Sequence, residues 1–164
     1  MNYTALDIAS FFIKKGVTPL KLQKLLYYTQ VWYFVKTKKY LMQESFQAWI
    51  YGPVVYDVWN SFRFIRRSDN IPQHKAKEVD LTSIQDHLTE VWNTYGHLKG
   101  STLVDLTHNE LPWKVSRKGL LTNQPSNNFI IIDKSTLKDF YLTQDGRVPK
   151  VQLGDSSSLG NFSN

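Results

Sequence analysis

The chain has 164 residues, is 41% apolar and 14% aromatic, and carries a net charge of +6. That composition suits one globular domain with a true core and excludes an intrinsically disordered chain. The sequence has no cysteine, which excludes disulfides and thiolate chemistry. No apolar run approaches the ~20 residues needed to span a bilayer, and no basic-then-apolar leader opens the chain. The expected setting is therefore the cytoplasm.

In chain order, Leu6, Ala9, Phe12 and Ile13 recur at helical spacing, and Gly16 ends that first helix. Thr18 and Pro19 supply an N-cap and a first-turn proline for the next. From about 19 to 36, Leu22, Leu25, Leu26, Thr29, Trp32 and Tyr33 share one face. Tyr27, Val31, Phe34 and Val35 share the other, with Gln23 and Gln30 on the strip between. A helix apolar on two sides is sandwiched, which predicts the central helix of the domain. Phe46, Ala48 and Ile50 then alternate with Gln47, Trp49 and Tyr51, as in a short strand. Gly52-Pro53 is expected to break the strand and open a helix, with Val54, Val55, Val58, Trp59, Phe62 and Ile65 on its apolar stripe, Asp57, Asn60, Arg63 and Arg67 opposite, and its end near Arg67. The polar stretch 68–80 reads as a loop.

Thr82 with Gln85 fits a capping box before the stripe Ile84, Leu88, Val91, Trp92, Tyr95 and Leu98, a helix expected to end near Gly96 or Gly100. A short helix over 101–107 follows, another over 112–118, a short strand over 129–132, and a last helix from Asp133 to Leu142. The expected fold is mainly α, a compact single-domain helical bundle with at most a minor β element. Residues 1–144 form the domain, and the Gly/Ser-rich 145–164 form a flexible tail.

Charge is uneven. Residues 1–67 hold ten Lys/Arg against three Asp/Glu, a net +7, and the remainder nets −1. A basic half suits nucleic acid or an acidic protein, though a solvated face is the first reading. The four histidines show no i, i+3 or i, i+4 pair, so no local metal site is expected. His108-Asn109-Glu110 places a base beside an acid, but Thr107 and Glu110 fit a capping box better than a catalytic pair. With no phosphate loop and no nucleophile elbow, the sequence offers no catalytic residues and no cofactor site.

Trp49 and Tyr51 alternate away from the apolar positions, so they are either exposed anchors or a second buried layer. If they are anchors, Gly52 and Pro53 hold them rigid, the first turn of the helix after Pro53 offers free backbone N–H groups, and Lys21 and Lys24 steer an acidic partner.

Three runs carry a resemblance. They are Thr18-Pro-Leu-Lys-Leu-Gln-Lys-Leu-Leu-Tyr-Tyr-Thr-Gln-Val-Trp-Tyr33, Phe46-Gln-Ala-Trp-Ile-Tyr-Gly-Pro-Val-Val-Tyr-Asp-Val-Trp59, and Leu103-Val-Asp-Leu-Thr-His-Asn-Glu-Leu-Pro-Trp113. In this order they resemble the Panacea domain, also called the SocA-like antitoxin domain, of bacteria and prophages. The resemblance implies a non-enzymatic protein that binds a cognate protein toxin. Two modes stay open, direct occlusion and delivery to a protease such as a Clp-type machine. A basic nucleic-acid-binding regulator is the second reading, and an enzyme built on His108 and Glu110 a remote third.

Overall fold

The computed structural model describes residues 3–110 together with Trp113 and Arg117. Its described helices are α1 (Ala5–Lys15), α2 (Pro19–Thr37), α3 (Tyr56–Phe62), α4 (Gln85–Tyr95) and α5 (Gly100–His108). One antiparallel hairpin, β1 (Gln47–Trp49) and β2 (Gly52–Val54), stands between α2 and α3. The fold is mainly α with a minor β element, as the sequence predicts. The strand expected over 129–132, the helix expected over 133–142 and the tail from 145 lie outside the described residues, as does most of the helix expected over 112–118.

α1 starts at a reciprocal capping box. Thr4 accepts from the Asp7 N–H, and the Asp7 carboxylate accepts from the Thr4 N–H, both at 3.1 Å. Gly16, at φ 90°, closes it. α2 starts as its sequence dictates, with Thr18 as N-cap and Pro19 at the first position.

α2 is the centre of the molecule. Every residue from Leu22 to Trp32 is buried, because α1, α3, α4, α5 and β2 all pack around it. Such a helix must also bury polar groups, and each of these finds a partner. The Thr29 hydroxyl donates to the Leu25 carbonyl at 2.7 Å. Gln30 accepts from the N–H groups of Leu41 and Met42 and donates to the Met42 carbonyl. Gln23 brackets Val55 in the same way, accepting from its N–H at 2.8 Å and donating to its carbonyl at 3.2 Å. These two glutamines do what a neighbouring strand would do for extended backbone. Trp32 is buried as expected, and its Nε1 donates to the Tyr95 hydroxyl at 2.7 Å.

Three local expectations need correction. Gly52-Pro53 does not open a helix: both residues belong to β2, and α3 starts at Tyr56. Gln23 and Lys24 grip the backbone of Val55 and Pro53, which holds that segment extended. α3 ends at Phe62 rather than near Arg67, yet the turn that follows keeps Ile65 packed against the core. Thr82 makes no capping box, since its hydroxyl donates to the Asp80 carboxylate at 2.6 Å and it opens a single 3-10 turn.

Candidate functional site

The three motif segments meet at the hairpin. A two-stranded hairpin alone is marginal in water, and this one is held from both edges. Ala48 lies opposite Pro53 in the register, and Pro53 has no N–H to give. The Pro53 carbonyl accepts from Lys24 Nζ at 2.9 Å, and the Ala48 carbonyl accepts from Arg117 at 2.9 Å. Trp113 Nε1 donates to the Trp49 carbonyl at 2.8 Å. His108 stacks on the Trp113 ring at 3.9 Å, and the Arg117 guanidinium lies 5.0 Å from the same ring.

Gly52 is where these pieces come closest. Its φ is 98°, a region that side chains rarely adopt. A Cβ there would meet Thr107 Oγ1 at 2.5 Å and Lys24 Cε at 2.8 Å. Glycine is thus required twice, by conformation and by space.

Electrostatics follow from burial. Lys24 is fully enclosed, and loss of water pushes its ammonium down to about 7. His108 is pushed down to about 4, first by burial, then by the charges of Lys24 and Arg117, against an opposing hydrogen bond to the Ile50 backbone. Its ring is therefore neutral at pH 7. Glu110 accepts from the Tyr28 hydroxyl, whose own ionisation is pushed up by burial and by that carboxylate.

The capping box expected of Thr107 and Glu110 does not form. Thr107 lies inside α5 with its hydroxyl on the Val104 carbonyl at 2.9 Å, and Glu110 is recruited by Tyr28 on α2.

The expected partner-binding set divides. Lys24, Gly52 and Pro53 are interior, so none of them presents a surface, and Lys24 cannot steer a partner through solvent. Lys21 is turned toward α4, where it donates to the Gly96 carbonyl and lies 5.2 Å from the Trp92 ring. The first-turn N–H groups expected directly after Pro53 do not form as such, because Val54 belongs to β2 and the Val55 N–H is engaged by Gln23. Trp49 and Tyr51 are half-buried and line a groove.

That groove, about 440 Å³, runs between the start of α2, the hairpin turn and α3. Its wall is apolar, with Leu20, Val54, Val58, Phe62 and Ile65. Trp49 meets Trp59 edge to face at 5.3 Å, and Trp59 remains 37% exposed. Tyr56, 39% exposed, lies 5.5 Å from Trp59, and Phe64 beyond α3 is 88% exposed. Arg63, Arg66 and Arg67 form one rim, with the Arg67 guanidinium 4.2 Å above the Tyr51 ring. The sequence reading missed this rim. Its signal was present in Arg63 and Arg67 opposite the apolar stripe, but their return toward Tyr51 depends on the turn after Phe62.

The site is a shaped apolar cleft with a cationic rim, set on a hairpin that buried polar side chains fix in place; its volume falls in the ~300–1,000 Å³ range of ligand clefts. That arrangement belongs to a mainly α domain. The model of one family, Antitoxin SocA-like, Panacea domain, matches residues 22–114, and the chain belongs to that family. No curated protein and no solved structure is significantly similar to it. Among the described residues, no helix is long and apolar enough to cross a membrane.

Proposed function

We propose that this antitoxin-type domain neutralises a protein toxin by direct contact, and that the toxin docks in the groove beside the hairpin. The observation that supports it most is the aromatic set Trp49, Tyr51 and Trp59, partly exposed around an apolar cleft in a chain of an antitoxin family. Aromatic anchors in a preformed pocket are the usual source of affinity at protein interfaces, and a rigid turn lowers the ordering cost of binding.

Co-expression with the product of the adjoining gene tests the reading. The wild-type chain restores growth to cells making the toxin. Tyr51→Ala/Trp59→Ala stays folded but does not, with affinity lost by ~2 kcal/mol or more in a purified complex. A folded double variant that still neutralises places the contact elsewhere. Cells lacking Clp-type proteases separate the two modes: occlusion predicts unchanged rescue, and delivery to the protease predicts none.

A further inference from the structure

We infer that the groove recognises an acidic segment of its partner, one in which a large apolar side chain is flanked by aspartate or glutamate. The inference rests on the docking reading above and adds the chemistry of what docks. Three arginines stand on one rim, and no carboxylate lines the groove. Arg66 has one weak tie, to Asp69 at 3.7 Å, with both side chains mostly exposed. Arg63 and Arg67 lie over the Phe64 and Tyr51 rings, and among the described residues neither pairs with a carboxylate. An arginine stacked on an aromatic ring is already oriented, and its fork still has N–H groups to offer a carboxylate. The apolar wall supplies the place for the anchor between such acids.

Two alternatives fit less well. An added β-strand would need open edge carbonyls, but those of Ala48 and Pro53 are already taken by Arg117 and Lys24. Single-stranded nucleic acid would need open ring faces. Within the groove, Arg67 lies over the Tyr51 ring and Trp49 and Trp59 meet edge to face, and the exposed Phe64 does not line it.

A random peptide library displayed on phage and panned against the full chain tests this. Enriched peptides are expected to carry an aromatic or leucine residue beside two or more acids. Their affinity should fall about tenfold or more with Arg63→Glu/Arg66→Glu/Arg67→Glu and likewise with Trp59→Ala. Circular dichroism verifies folding, and Arg63→Glu/Arg66→Glu replaces the triple variant if loss of the Arg67–Tyr51 contact disturbs the turn.

Peptides without an acidic excess, or peptides sensitive to Trp59→Ala but indifferent to the arginines, overturn the acidic chemistry and leave the groove standing. Failure to enrich peptides, or binding indifferent to all the variants, overturns both. Displacement of the peptides by oligo-dT in an arginine-dependent manner makes the groove a nucleic-acid site and overturns the inference.

Discussion

The hairpin and the helix after it are neighbours in sequence and opposites in chemistry. Residues 47–54 present their backbone to an interior of Lys24, His108, Trp113 and Arg117. Residues 56–67 bury Val58 and Phe62 but leave Tyr56, Trp59 and Phe64 in contact with water beside three arginines. The first region holds the most recognisable motifs and exposes little of them. The second carries only the end of the second run, Tyr56 to Trp59, and shares the groove with the start of α2 and the hairpin turn. What is most legible in this sequence is therefore the scaffold, and the exposed aromatic and arginine surface lies just beyond it.

The largest effect expected on the scaffold side is at Trp32. Trp32→Ala removes a buried ring and its bond to Tyr95, and should cost ~3–5 kcal/mol in a urea titration. A loss below ~1 kcal/mol would dislodge α2 from its central place. Next comes Gly52. Gly52→Ala combines an unfavourable φ with contacts no Cβ tolerates, and should cost about 2–4 kcal/mol. If Gly52→Ala melts like the wild type, the hairpin is not held as described.

Lys24 sharpens the comparison through pH. Its folded pKa of about 7 lies below its ordinary 10.5. Between those values the unfolded chain binds the extra proton, so stability rises with pH across that window and the burial penalty is fully felt below it. The gain is of the order of a few kcal/mol. Lys24→Met should flatten the slope between pH 7 and about 9.5, below the range where unfolded tyrosines ionise. Equal slopes in both proteins would mean that the ammonium keeps its water.

His108 acts in a lower window. With a folded pKa of about 4 against 6.5, it lowers stability progressively as pH falls from 6.5 toward 4, and His108→Gln should weaken that loss. Buried His87 contributes in the same direction, so the acid slope is reduced rather than abolished.

The smallest stability effect belongs to the groove. Trp59→Ala should cost less than ~1 kcal/mol, since the side chain is 37% exposed. A cost as large as that of Gly52→Ala would merge the two regions into one scaffold.

Periodicity revealed the helices because burial in this fold follows one helix. The two-sided stripe from Leu22 to Val35 needs no knowledge of its neighbours to be read as central, and Thr18-Pro19 states where it starts. Periodicity could not reveal what the polar residues on that helix do. Gln23, Lys24 and Gln30 each satisfy backbone at least 11 residues away, and a local pattern is blind to such pairs. The same blindness made Thr107 and Glu110 look like a capping box, when Tyr28 draws Glu110 across 82 positions. Lys24 looked like a surface cation for the same reason. The groove was half legible. The alternation around Trp49 and Tyr51 pointed to it, while its rim required the chain to turn back after Phe62.

Hydrogen exchange, followed by mass spectrometry with and without the neutralised toxin, tests the division between scaffold and surface most directly. The account predicts that toxin binding slows exchange over residues 49–51 and 56–67, while α2, buried from Leu22 to Trp32, changes little. New protection confined to the α1 and α4 surfaces, with 56–67 exchanging as before, would contradict it.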